Sequence, residues 1–440
     1  MSAGGSPRAE SDRGPCARPR TGHARTWHAS IGPMRAPALV GLIGVAMLPA
    51  ACGGSSPHVP TRSAAAPSGT PSCPSRATAA PSLTRVRTQM MALPGAPYTI
   101  VSTERWSFVS TAGEVDVLRN GRFAPRLVRS MRLPAASGSG RHGMALTHDG
   151  RYLLVSGGSG AVVIGVNRAE RGTRHPVLGM LTSAVQGSPA LAGSIAVVIS
   201  PDDRFAYVAR ARASGVAVFD LASALADRLH TSGYIGRVPL RNGPAALALG
   251  PRGRWLYATS LASSNGAAAG SRAAGAQGGT LTMIDAIRAR TRPDSAAVRA
   301  VAAGCEPVRV TVSAAGRLVW VTALASHAVL GYSSSRILHR VPRPMIAYVP
   351  VGSAPVGVLP IDGGRRLLVA DSGAAGTPAP GPGVTVVDVA AAVAGRPAAI
   401  GTVPAGVYPR DLAVPPGRRT AFVTNYGSDQ IEAVNLNTVP

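Results

Sequence analysis

The chain has 440 residues, with 45 basic and 20 acidic side chains for a formal charge of +25, and it is 45% hydrophobic. That apolar content excludes a globally disordered chain, and aromatics at 4% leave any core to Val, Leu, Ile and Ala. Every basic residue is arginine, which excludes a Walker-type phosphate lysine and a Schiff base; the arginines are scattered without a nucleic-acid motif and, with the abundant Ala, Gly and Pro, fit a GC-rich coding bias.

Residues 1–33 are polar and arginine-rich, without periodicity. They are either a disordered leader or untranslated, with Met34 the initiator. After Met34-Arg35 comes an apolar stretch over 36–51. It is shorter than the ~20 residues a bilayer-spanning helix needs. A basic start, an apolar middle and small residues at the end predict a signal peptide over 34–51. Its end, Leu48-Pro49-Ala50-Ala51-Cys52, resembles a bacterial lipobox, with leucine one place further back than usual. The resemblance implies a lipid on Cys52 and an exported protein held on the outer side of the cell membrane. Residues 52–81 are rich in Pro, Ser and Ala and form a flexible linker with a mean coil reach of about 30 Å. Cys73 in this linker and Cys305 in the domain either form a bridge in an oxidising compartment or remain separate thiols, because spacing does not fix connectivity.

From residue 82 to residue 440 a pattern recurs seven times. Its landmark is an arginine followed by an apolar or alternating run, at Arg105, Arg151, Arg204, Arg254, Arg317, Arg365 and Arg419. The starts are 46, 53, 50, 63, 48 and 54 residues apart, a period that indicates propeller blades. Before the arginine stands an apolar strand and a tight turn, such as Ser200-Pro201-Asp202-Asp203, with residues that supply turn geometry. After it comes a third strand, as in Gly215–Asp220, and in most copies a fourth, as in Ala347–Gly352. The expected fold is all-β, a seven-bladed β-propeller of four-stranded blades. The last copy stops after three strands. The unattached strand at Thr84–Gly95 is expected to complete it and remove an open edge.

The segments Pro201-Asp202-Asp203-Arg204 through Asp220, and Val423-Thr424-Asn425-Tyr426-Gly427-Ser428, resemble the YVTN-repeat propellers, grouped with lactonase-fold proteins. The resemblance covers about residues 84–440. Gly/Ala/Pro-rich insertions between second and third strands enlarge blade four at 264–278 and blade six at 374–382. The resemblance implies that ligands meet the mouth of the central channel, where Arg, Glu and His side chains of lactonase-fold proteins act.

Candidates at that mouth are Arg141, His142, Glu306, Arg309, Arg410 and Asp411, with Asp371 and His327 on neighbouring loops. Converging arginines hold carboxylates or phosphates bidentately, and a histidine beside a carboxylate is a general-base arrangement. His142, Arg309, Arg410 and Asp411 are the catalytic candidates, each set against the plain alternative of a solvated loop charge or a salt bridge between blades. Gly138–Gly143 matches GxGxxG but opens no helix, so it is no dinucleotide site. No GxSxG elbow, HExxH or close Cys/His pair occurs, so neither a cofactor nor a metal is expected. Asp220, Asp285 and Asp388 end third strands and are expected to cap turns; Asn425 is expected in a turn that tolerates left-handed backbone.

Two functions fit. One is a monomeric binding or scaffold module facing a cell-envelope protein or anionic polymer, with no nucleic-acid partner. The other is a hydrolase that opens a sugar or organic-acid lactone. A quinoprotein-type enzyme is disfavoured by the absence of a dense acidic and aromatic channel.

Overall fold

The computed structural model describes residues 77–138, 143–183, 193–261, 278–373 and 381–440. The chain divides into units of residues 1–63 and 64–440, and every described residue belongs to the second. The leader, the signal peptide, Cys52, Cys73, Arg141, His142 and the insertions over 264–277 and 374–380 lie outside the described residues.

The first repeat folds as Thr99–Ser102, Trp106–Ser110, Glu114–Arg119 and Arg126–Arg132, paired antiparallel in that order. The other six repeats give the same sheet. The seven first strands touch one another in sequence, and the first strand of blade one meets that of blade seven, so the ring is closed. The second and third strands pack on both faces. They are therefore continuous apolar runs rather than alternating ones, as in Tyr152–Gly157 and Gly160–Gly165 of blade two. Outer strands face solvent on one side and alternate, as in Met345–Pro350 of blade five. The core is seven apolar clusters, one between each pair of adjacent blades.

The landmark arginine has a backbone role in every blade. Its carbonyl accepts the N–H of the first or, in blade three, the second residue after the third strand, from Arg105 with Asn120 through Arg204 with Ala222 to Arg419 with Leu436, at 2.8–3.1 Å. In blades two, three and four the guanidinium also lies over the aromatic ring that follows it, for example Arg254 over Trp255 at 4.8 Å, whereas in blade one Arg119 covers Trp106. Asp220, Asp285 and Asp388 do cap, but they cap short helices, Leu221–Ala226, Ala286–Ala289 and Val389–Val393. Each carboxylate accepts a first-turn N–H, the usual service of an N-cap acid.

Thr88–Ala92 pairs antiparallel with the last strand, Gln430–Asn435, and completes blade seven. Upstream of it, Ser82 bridges in parallel to Thr402 on the outer strand of blade six, and the Thr78 N–H donates to the Val351 carbonyl at the end of blade five. Cys305, at the end of blade four's outer strand, is disulfide-bonded, which removes the separate-thiol alternative for that residue.

Candidate functional site

The inner strand of each blade has no ladder partner on its channel side. Proline, which cannot donate, is therefore tolerated at its first position, and Pro307, Pro355 and Pro409 open the inner strands of blades five, six and seven. Arg309 follows two residues after the first of these, and Arg410 and Asp411 follow the last. At the level where Arg309 pairs with Thr322, blades three and four present only Ala196 and Ala246. Blade six, between the two charged strands, presents Gly357. A Cβ there would meet Leu412 and the Arg410 carbonyl at 2.7 and 2.8 Å. These small residues leave room for one long side chain, and Arg309 of blade five takes it.

Arg309 Nη2 stands 3.4 Å from Asp411 Oδ1 in blade seven, with side-chain exposures of 17% and 18%. The pair is thus held largely out of water. Asp411 Oδ2 accepts the N–H of Ile100 in blade one at 3.2 Å, so one carboxylate links blades five, seven and one. Burial pushes the Asp411 carboxyl above the usual carboxylate range, and the Arg309 guanidinium pulls it only part of the way back. Arg309 Nε has no hydrogen-bond partner among the described residues.

Two tyrosines complete the cluster. The Arg410 guanidinium lies 5.6 Å from the Tyr98 ring centre and 5.4 Å from that of Tyr426, and Arg309 approaches Tyr98 at 6.0 Å. The rings meet edge to face at 6.3 Å. Thr424 fastens them, donating through its hydroxyl to the Tyr98 carbonyl while accepting from the Asp411 N–H. The result is two guanidinium groups, one carboxylate and two tyrosine faces in a partly enclosed space. Such an arrangement suits an anionic group, because arginine forks match carboxylates and phosphates and the enclosure strengthens the attraction.

The other candidates go elsewhere. Glu306 is an exposed residue with φ +53°, and its carbonyl accepts the Leu324 N–H. Asp371 is fully buried and is pushed up to about 7 by that burial; the Thr385 hydroxyl and the Gly352 N–H donate to it. His327 has a left-handed backbone, and its Nδ1 accepts the Ala354 N–H at 3.1 Å. Burial pushes its pKa down, toward the neutral ring. Asp371 and His327 therefore clamp the connection between blades five and six.

Asn425 corrects the sequence expectation. It does not turn the chain; it ends the strand Thr420–Asn425, fully buried, and donates to Glu432 Oε2 at 3.2 Å. Burial pushes Glu432 up to about 7. Among the described residues no three His, Cys, Asp or Glu side chains cluster as metal ligands.

No family model matches the chain, and no curated protein matches it. Solved structures do. The chain is similar to hydrazine synthase of Kuenenia stuttgartiensis with a TM-score of 0.56, over 78% of this chain and 96% of that one. The chain is a β-propeller. At 16% identity the likeness shows the fold alone, since one fold hosts many chemistries.

Proposed function

We propose that this propeller is a YVTN-type binding or scaffold module, exported and held outside the membrane through a lipid on Cys52. It acts as a monomer, without cofactor or nucleic acid, toward an anionic ligand carried by a cell-envelope protein or polymer. The observation that carries the reading is the Arg410 guanidinium set between Tyr98 and Tyr426, beside the buried Arg309–Asp411 pair. The arginine forks match the geometry of a carboxylate or phosphate, and the tyrosine faces around Arg410 favour one on a planar or ring-bearing carrier. The test is calorimetric titration of the full chain with sugar acids, aromatic acids and phosphate esters. At least one is expected to bind and to lose tenfold or more in affinity in Arg410→Ala. Equal or absent binding by wild type and variant across all three classes sinks the reading.

A lactone hydrolase is the second reading, favoured by one observation. Asp411 is a carboxyl held above its usual range beside a guanidinium, a combination found where proton transfer is needed. Acid release from sugar and aromatic-acid lactones, lost in Asp411→Asn and in His142→Ala, Arg410→Ala, supports it; no release above that of the variants rejects it for those lactones.

A further inference from the structure

The arginines are unevenly spread over the outer strands, and the unevenness singles out one edge of the ring. Four of the seven outer strands, Val177–Thr182, Met345–Pro350, Ala399–Pro404 and Thr88–Ala92, carry no charged residue. Two carry a single arginine, Arg237 and Arg299, and each spends its guanidinium on backbone carbonyls. The outer strand of blade one, Arg126–Arg132, carries three in seven residues. A coding bias toward arginine raises all strands alike and does not produce this. Protection of an open edge by charge does not explain it either, since the uncharged outer strands are edges too.

The three are also arranged. A bulge at Val128 shifts the register, so Arg126 pairs with Arg119 and Arg129 with Val117. Residues 117 and 119 share a face, which puts Arg119, Arg126 and Arg129 on the side toward blade two, where Val117 and Met131 pack against Leu153 and Val155. There the turn after blade two's helix adds Arg174 and His175, both exposed, across a groove of about 530 Å³. Arg129 braces the groove floor, donating to the Ala169 carbonyl at 3.3 Å. The acids nearby are Glu114, in a solvent-exposed and therefore weak pair with Arg132 at 3.3 Å, Asp116, buried opposite Ser130, and Glu170, set among Arg105, Arg119 and Arg171. Arg132 lies on the other face of the strand, opposite Glu114, but lines the same groove, and the strand from residue 126 to residue 132 is about 20 Å long, more than one small anion covers.

We infer that the rim of blades one and two is a docking surface for a linear polymer of phosphate groups, separate from the channel mouth. Successive phosphates would meet Arg126, Arg132 and Arg174 in turn, each as a charge-assisted contact that releases counterions.

The probe is long-chain inorganic polyphosphate, titrated into the full chain at several salt concentrations. The triple variant Arg126→Glu, Arg132→Glu, Arg174→Glu is expected to weaken binding at least tenfold. It should also flatten the slope of log K against log salt by about 3, one per lost contact. Arg252→Glu, Arg343→Glu, Arg396→Glu carries the same charge change at exposed sites on other blades and is expected to weaken binding less than threefold. Arg410→Ala should leave polyphosphate binding unchanged, which separates this surface from the channel mouth. Equal weakening by both triple variants means attraction to net charge and overturns the inference. So does undiminished binding by the rim variant when its thermal melt matches wild type. Vesicles containing phosphatidylglycerol form a second arm: loss of vesicle binding without loss of polyphosphate binding in the rim variant assigns the surface to a membrane instead.

Discussion

A guanidinium that has lost most of its water needs its counter-charge, and Arg309 has Asp411. Asp411→Asn strands that cation, which costs about 3 kcal/mol of stability, read from urea denaturation. Arg309→Met, Asp411→Leu together should recover most of the loss, because an apolar pair of similar volume tolerates the same burial. Three other buried acids set the response to pH. Burial pushes Asp116 up to about 6, and Asp371 and Glu432 to about 7. The folded state therefore holds these protons more tightly than the unfolded chain. The stability they contribute is complete below the ordinary carboxylate range and is lost as pH rises through about 6 to 7. The melting temperature should fall from pH 5 to pH 8, and Asp371→Asn with Glu432→Gln should flatten that fall. A wild-type melting temperature that climbs over the same range would refute the assignment. Arg309, Arg410 and Asp411 were legible because charges at the start of a channel-lining strand are conspicuous. Tyr98 and Tyr426 were not, because ring closure brings them together from opposite ends of the chain. Glu432 sits in a third strand covered on both faces, and no motif around it marks it out in the sequence.

At the scale of elements, the strands were readable and the helices were not. A run such as Leu367-Leu368-Val369 can only be a strand buried on both sides, given the turn residues around it. The helices between third and outer strands have four to six residues, too few to display a 3.6-residue period. Their caps were the visible part. Asp388 accepts the Ala391 N–H at 2.8 Å and starts the helix Val389–Val393. Asp388→Ala should cost about 1 kcal/mol, and Asp388→Ser should restore most of it, as measured by thermal melts. Arg254→Ala is a control of a different kind. Its carbonyl bond to the Ala286 N–H survives and only the contact over Trp255 is lost, so the expected effect is smaller, about 0.5 kcal/mol.

For the whole molecule, each blade owes its core to its neighbours. The ring is as strong as its seam, where blade seven takes one strand from the start of the chain and three from the end. Removing residues 1–92 exposes the edge of Gln430–Asn435 and uncovers Leu93, Ile431 and Ala433 in the cluster beneath it. The truncated protein should elute as aggregates in size-exclusion chromatography, whereas removal of residues 1–76, with Cys305→Ser because that cut also takes away the other three cysteines, should leave a monomer. The seam was foreseen from the sequence because an orphan strand at one end matched a missing strand at the other. The strap of residues 78–83 across blades six and five was not, since its hydrogen bonds are made by backbone and leave no side-chain pattern.

The same seam makes the order of the blades along the gene a matter of history rather than mechanics. The Arg87 carbonyl accepts the Asn435 N–H at 2.9 Å, and the Arg87 N–H donates to the Thr438 hydroxyl at 3.0 Å, so the propeller's two ends leave it side by side. Neighbouring ends are what circular permutation requires. A gene rewritten to start at Ser214, run through Pro440 into a short linker to Thr84, and stop at Ala213 would cut one tight turn between strands and keep every contact of one blade with the next, giving up only the strap of residues 78–83. It should give the same circular dichroism spectrum and ligand affinity, with its fourth-strand seam now buried in the middle of an uninterrupted chain.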